Sequence, residues 1–366
     1  MSKPKLNLRD HSAKCPIRTR GNFRGNAMLD MVGEAVDRLI TIEAKNHGMP
    51  HGVLLPMYMA ARKKAGDKPV TMAAAKGLMK ALRKGDVVFI MTGAGYEPTM
   101  PKGESDGPPG AASLARILYR GLGAIPVFVN EECHADPIVA SSEAAGLMVK
   151  PFAQARDRHL GAAIENAPTD QSKIKPWIAE IYAKYKPKAV VATERLGAGA
   201  DGNVHTATGL PLTGPKAKFE GCIDIGGVVT EANKRKIFSV GIGDHGNELG
   251  FGTIYDTVVK TMPKGKALAT VVKTDVVVPA MMSNWGCYGI EACIAYLLRK
   301  PQLIHSPEME KRIVQACLDA GGLEAMYCTT EFLVDGLDGE TSMACMQFLS
   351  NIVRKNLEPP DAGLTH

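Results

Sequence analysis

Three oxygen-bearing side chains, Asp244, Asn247 and Glu248, share one glycine-rich loop, Gly243-Asp244-His245-Gly246-Asn247-Glu248-Leu249-Gly250-Phe251-Gly252. Such oxygens suit a hard divalent cation or a polar substrate, and glycine lets a backbone approach either one closely. Asp and Asn also favour plain turns. Three such residues among so many glycines tilt the reading towards a ligand site. Residues 237–242 before the loop read as a buried strand, and a helical pattern follows from Ile254. A strand that passes through such a loop into a helix is where open α/β sheets bind ligands, at the carboxyl edge.

Other apolar runs end the same way. Residues 86–91 read as a strand that ends in Thr92-Gly93-Ala94-Gly95. A long polar loop then carries Lys102, Glu104 and Asp106 to Pro108-Pro109-Gly110, where a helix begins. A strand at 125–129 ends in Glu131-Glu132, which as a plain alternative is a solvated turn; a strand at 189–193 ends in Glu194-Arg195 and leads to Asp201 and Asn203. Strands alternating with helices predict an α/β fold: a mainly parallel sheet of six or more strands with helices on both faces, in a Rossmann-like three-layer arrangement. Right-handed crossovers gather the loops 92–110, 130–136, 194–205 and 243–252 on one edge. Carboxylates so crowded repel one another unless a cation or an ammonium group neutralises them. Glu104 and Asp106, two apart in an extended stretch, would point to one side.

The remaining elements must position these loops. Residues 1–84 read as a basic, irregular arm (1–25) followed by a helical N-terminal cap. In the cap Met28, Met31, Val32, Ala35, Leu39 and Ile42 recur at helical spacing, with further helices at 54–65 and 70–83. Packing, dimerisation into a homo-oligomer, or closing the site are its expected roles. His47 and His51 read as surface residues at a turn. Residues 85–366 form the α/β catalytic domain. Its further expected helices are 111–121, 137–145, 153–165, 172–185, 308–320, 341–354 and one from Ser283 to about residue 298; short strands are expected near 147–149 and 269–272. Asp335 and Asp338 serve either as helix caps or as ligands. His205 and His245 stand isolated and read as loop histidines rather than metal ligands. The loop at 199–202 lacks GxGxxG, which argues against NAD.

Bulk properties fit a soluble globular enzyme: 366 residues, 45% hydrophobic and 22% charged. The net charge of +6 comes from scattered Lys and Arg, which leaves no nucleic-acid footprint. None of the eight cysteines forms CxxC, which argues against a zinc ribbon or redox pair and fits a reducing compartment. With no apolar leader and no membrane-length run, a cytoplasmic protein with no membrane partner is expected.

Together, Thr92-Gly93, Glu104-Ser105-Asp106-Gly107-Pro108-Pro109-Gly110-Ala111, Gly243-Asp244-His245-Gly246-Asn247-Glu248-Leu249-Gly250, Ser283-Asn284-Trp285-Gly286-Cys287-Tyr288-Gly289 and Val334-Asp335-Gly336 resemble the D-glutamate cyclase family over about residues 85–350. His245 where the family usually has Gly, and a longer connection from Tyr96 to Gly103, are departures that bear on the substrate. The resemblance implies conversion of the amino acid D-glutamate to 5-oxo-D-proline and water. Such chemistry needs a base for the ammonium group and polarisation of a carboxyl. Glu104 or Asp106 is expected as the base, with Glu194 next. Asp244 and Glu248, supported by the amides of Asn203 and Asn247, are expected to hold Mn²⁺ or Mg²⁺. Lys102 or Arg195, the helix start at Gly110, and Asn284 are the expected substrate contacts. Two other classes remain: a metal-dependent phosphohydrolase, for which the required Asp-x-Asp after a first strand is missing, and a non-catalytic cation- or amino-acid-binding module.

Overall fold

The computed structural model of the chain describes residues 25–45 and 50–358. The expected arm, save Gly25, and His47 lie outside them. Three helices, α1 (Gly25–Ile40), α2 (Leu54–Lys64) and α3 (Val70–Ala81), precede the sheet. The sheet comprises β1 (Val87–Met91), β2 (Ile125–Glu131), β3 (Ala163–Ala167), β4 (Ala189–Thr193), β5 (Phe238–Gly243) and β6 (Val276–Pro279). All neighbours pair in parallel, in the order β3-β2-β1-β4-β5-β6. The chain therefore starts at the middle, runs outward through β2 to β3, returns to β4 beside β1, and runs outward the other way. That reversal opens a crevice beyond the carboxyl ends of β1 and β4, where ligands bind in folds of this kind.

Burial on both faces explains the strand sequences. Every residue of β1 (VVFIM) and β4 (AVVAT) is buried, as expected of β-branched and apolar runs in a parallel sheet. Their side chains alternate between two apolar layers. Val88, Ile90, Ala189 and Val191 join one cluster, and Val87, Phe89, Met91 and Val190 join the other. The first layer includes α4 (Pro108–Ile117), α5 (Ala135–Ala144) and, further along the chain, α11 (Ser283–Leu298), α12 (Pro307–Asp319) and α13 (Gly339–Leu357), together with residues of α1 to α3. The second is built by α6 (Phe152–Arg158), α7 (Gln171–Tyr185) and α8 (Gly227–Lys234), with Tyr182 meeting Phe89 edge-on at 5.5 Å between ring centres. Short helices α9 (Tyr255–Thr261) and α10 (Gly265–Leu268) lead to β6. Then come α11 (Ser283–Leu298), α12 (Pro307–Asp319), the antiparallel hairpin β7 (Leu333–Val334) and β8 (Leu337–Asp338), and α13 (Gly339–Leu357).

Several elements differ from expectation. The helix expected over 153–165 stops at Arg158, where His159 turns left-handed (φ 51°), and residues 163–167 are edge strand β3. Only the two ends of that strand are buried, so its sequence carries little apolar signal. The strand expected near 147–149 is a single bridge, Val149 to Ala162. The strand expected at 269–272 is instead an irregular tie between site loops, with Thr270 N–H bonding to Gly246 O and Val271 N–H to Ala198 O. The sixth strand lies further on, in Val276-Val277-Val278. Helix α8 was not anticipated.

Candidate active site

The site grows from loops at the crevice. Beyond β5 the chain folds back hard on its own strand: a β-carbon on Gly241 would lie 2.2 Å from Leu249 O, so only glycine fits. Glu248 closes this loop from inside. Its Oε1 accepts N–H bonds from Asp244 (3.3 Å) and His245 (2.9 Å), and its Oε2 accepts one from Gly246 (2.7 Å). Burial and the charge of Asp244 nevertheless push its carboxyl up to about 7.

Asp244 is buried and gripped from two sides. Its Oδ2 lies 2.6 Å from the Lys45 ammonium and its Oδ1 lies 2.5 Å from His245 Nδ1. Burial opposes its charge, but His245 and Lys45 outweigh that and hold it well below the usual carboxylate range. Lys45 also reaches Asp335 Oδ2 at 2.5 Å. Burial alone would lower the Lys45 pKa; Asp244 and Asp335 overcome it and raise it. Asp335 heads a two-residue turn in which Asp335 (φ 52°) and Gly336 (φ 79°) are both left-handed, as Asp-Gly hairpins require. Although Lys45 pulls Asp335 down, burial and Asp244 leave it raised.

The loop after β1 gives Glu104 and Asp106 different tasks. Asp106 lies over the start of α11: its Oδ1 accepts from Asn284 N–H (2.8 Å) and Gly107 N–H (3.1 Å), and its Oδ2 from Ser283 N–H (2.7 Å). Glu104 faces the cavity, and its carboxylate accepts no hydrogen bond among the described residues. Burial, followed by Asp335, Asp106 and Asp244, pushes Glu104 well above the usual range. Asp106 is raised for the same first reason, then by Asp335 and Asp244. Glu194, at the end of β4, takes φ 42°, a conformation that costs a non-glycine residue about 1–3 kcal/mol and often marks a functional position. Its Oε2 accepts the Ser283 hydroxyl at 2.7 Å, and burial and Glu104 raise it well above the normal range.

These groups border a cavity of about 270 Å³, lined at its polar end by Glu104, Glu194, Asp244, His245, Asn247 and Asp335, and elsewhere by apolar groups such as Tyr96, Met100 and Leu196. No Lys or Arg lines it among the described residues. Two buried lining atoms have no hydrogen-bond partner: Asn247 Oδ1 and His245 Nε2. Oxygens of Asp106, Asp244 and Asp335 lie within 4.8 Å of one another, as do ligand atoms of Asp244, His245 and Glu248. The donor set therefore fits a hard divalent cation.

Other expected contacts lie elsewhere. Lys102 is partly exposed and pairs with Asp136 at 2.7 Å. Arg195 forks onto Glu131 and also donates to Gly93 O and Ile223 O. Asn203 bonds within its own loop to Asp201. The Gly110 N–H, at the start of α4, donates to Asn284 Oδ1 at 2.7 Å. Asp338 caps α13 through Thr341 N–H, whereas Asp335 joins the acidic cluster. Lys45 was not anticipated. It follows α1 as a lone basic residue with no motif around it, and only the fold brings it to Asp335.

Fold and cavity together define a parallel α/β protein with an acidic cavity at its topological reversal. The family described as D-glutamate cyclase-like, C-terminal, matches residues 60–350, and the chain belongs to it. The mitochondrial D-glutamate cyclase of Homo sapiens is 29% identical over 220 residues, which are 58% of this chain and 33% of the human protein. The match thus spans a third of that relative's length. Among the described residues no helix is long and apolar enough to cross a membrane.

Proposed function

We propose that the chain is a D-glutamate cyclase-like lyase that closes D-glutamate to 5-oxo-D-proline with loss of water. The observation that carries this reading is the cavity lined by Glu104, Glu194, Asp244 and Asp335 without a lining Lys or Arg, in a chain of this family. Such a cavity favours a ligand with an ammonium group, and it needs a cation before it can receive carboxylates.

In the reaction the substrate nitrogen forms a bond to its own side-chain carboxyl carbon and gives up two protons in all, the C–O bond breaks, and the released oxygen takes up those two protons and leaves as water. Glu104 takes the proton from the ammonium group. Its carboxylate has no competing hydrogen bond, and its raised pKa brings it closer to that of the proton it must accept. Glu194 is the alternative base; its Oε2 is already committed to Ser283. Asp106 positions α11 and the loop that carries Glu104. Asp244 and Asp335, with the free Asn247 Oδ1, would hold Mn²⁺ or Mg²⁺, while Glu248 keeps their loop closed. When bound, such an ion supplies Lewis-acid polarisation of a carboxyl oxygen. The apolar wall near Tyr96 and Met100 limits the water around the reacting groups.

A cytoplasmic setting is part of the same reading. It is supported by the free state of all seven cysteines among the described residues. The deciding experiment incubates the purified protein with D- and L-glutamate, with and without Mn²⁺, and follows 5-oxoproline by mass. Product from the D-enantiomer is expected; none under any metal condition would reject the reaction.

A further inference from the structure

We propose that Lys45 is a tethered cation that holds the acidic seat in the free protein and gives it up when a divalent cation binds. This rests on the cation site proposed above. Lys45 Nζ lies 2.6 Å from Asp244 Oδ2 and 2.5 Å from Asp335 Oδ2. Those two residues belong to the trio whose oxygens, with one from Asp106, converge within 4.8 Å. The ammonium thus takes oxygens on which a small hard cation would draw. A second, separate sign of a missing ligand is Asn247, a residue of the cavity wall only 2% exposed, whose buried Oδ1 has no hydrogen-bond partner.

Charge explains why a lysine stands there. Glu104, Asp106, Glu194, Asp244, Glu248 and Asp335 are all buried together. With no positive charge among them the cluster would oppose folding. Lys45, together with His245 on the other oxygen of Asp244, supplies that charge; Lys45 is buried and is not part of the cavity lining. An ammonium and a divalent ion on the same oxygens repel strongly at so short a distance. The two therefore alternate rather than coexist. A compact ammonium on a flexible four-carbon stem can make that exchange, whereas a forked guanidinium is less able to. Lys45 precedes the segment matched by the family, which begins at residue 60, so the family's matched residues do not include it. It acts as a positioning residue: it fixes Asp244 and Asp335 in place until the external ion arrives.

Calorimetry with Mn²⁺ on wild type and on Lys45→Met tests this. Removal of the competitor should tighten Mn²⁺ binding by about tenfold or more. Mn²⁺ should also raise the melting temperature of Lys45→Met more than that of wild type, because ligand stabilisation scales with affinity. A purely structural lysine would give the opposite result, namely weaker binding. Equal or weaker binding by a folded Lys45→Met overturns the proposal while leaving the cation site intact. Absence of Mn²⁺ binding by both proteins removes the cation site and this proposal together. A measurement on wild type avoids any folding defect of the variant: acetylation of lysines by a small acylating reagent, read by mass spectrometry. Mn²⁺ should increase labelling of Lys45 relative to the other lysines; unchanged or reduced labelling counts against displacement.

Discussion

Asp106 and Asn284 cap each other's helices. The Asp106 carboxylate accepts the Asn284 backbone N–H at the start of α11, and the Asn284 side-chain oxygen accepts the Gly107 and Gly110 N–H groups at the start of α4. The N-termini of the two packed helices are thereby locked together. Asn284→Ala should leave the buried Gly110 donor unpaired and lower unfolding free energy by about 1–3 kcal/mol. Urea denaturation followed by circular dichroism measures it; a variant as stable as wild type would show that the interlock contributes nothing.

Glu104 should behave in the opposite way. Its buried carboxylate accepts no hydrogen bond among the described residues, so Glu104→Gln removes a charge without breaking a contact. Its melting temperature should match or exceed that of wild type, while 5-oxoproline turnover falls by roughly 10²–10⁴. Mn²⁺ affinity should be nearly unchanged. If turnover survives in Glu104→Gln, the same assay on Glu194→Gln identifies the base.

Asp244→Asn should lose both binding and turnover. Asn keeps the shape but presents one NH₂ group, either to Lys45 or to His245, and gives up the charge that would hold a cation. Calorimetry should show at least about a tenfold weaker Mn²⁺ affinity. Affinity equal to that of wild type would take Asp244 out of the cation site.

A second buried ion network should contribute to the loss of stability in alkali. His305 lies 2.6 Å from Glu291 through Nδ1 and 3.2 Å from Glu310 through Nε2, and Tyr288 donates to Glu310. Burial alone would lower the His305 pKa, but the two glutamates raise it to about 9 from the usual 6.5. The folded state therefore binds this proton more tightly than the unfolded chain. The resulting stability is fully present below pH 6.5 and is lost as pH climbs through about 9. Melting temperatures measured from pH 6 to 10 should fall over that window. His305→Gln should flatten the fall and, by leaving Glu310 without its cation and Glu291 with only Arg116 at 3.8 Å, cost about 3–5 kcal/mol near pH 6. A parallel pH profile in the variant would exclude this cause.

The central strands were legible because β1, β4 and β5 are short apolar runs with glycine or acidic residues just beyond them. Their loops, and with them the convergence of Glu104, Glu194 and Asp244, followed from the crossover rule. The edge strand β3 was hidden because only its two ends are buried and its middle carries the polar Glu165 and Asn166. Oxygens were easier to place than their tasks. Both Asp106 and Glu248 reach the site, yet they spend their oxygens on backbone N–H groups, a choice that depends on helix starts and loop curvature. Lys45 was invisible since no local pattern marks a residue whose partners lie far along the chain.

That separation has its own consequence. Lys45 and Asp335 are 290 residues apart, and one ion pair joins them. The contact works as a clasp between the leading helical segment and the hairpin before the last helix, closing nearly the whole chain into a loop. Contacts of such long range form slowly, after the elements between them are in place. Lys45 would therefore settle on the acidic cluster only late in folding. A change that loosens the packing between the two ends would open this clasp before it melted the helices, whose hydrogen bonds are local.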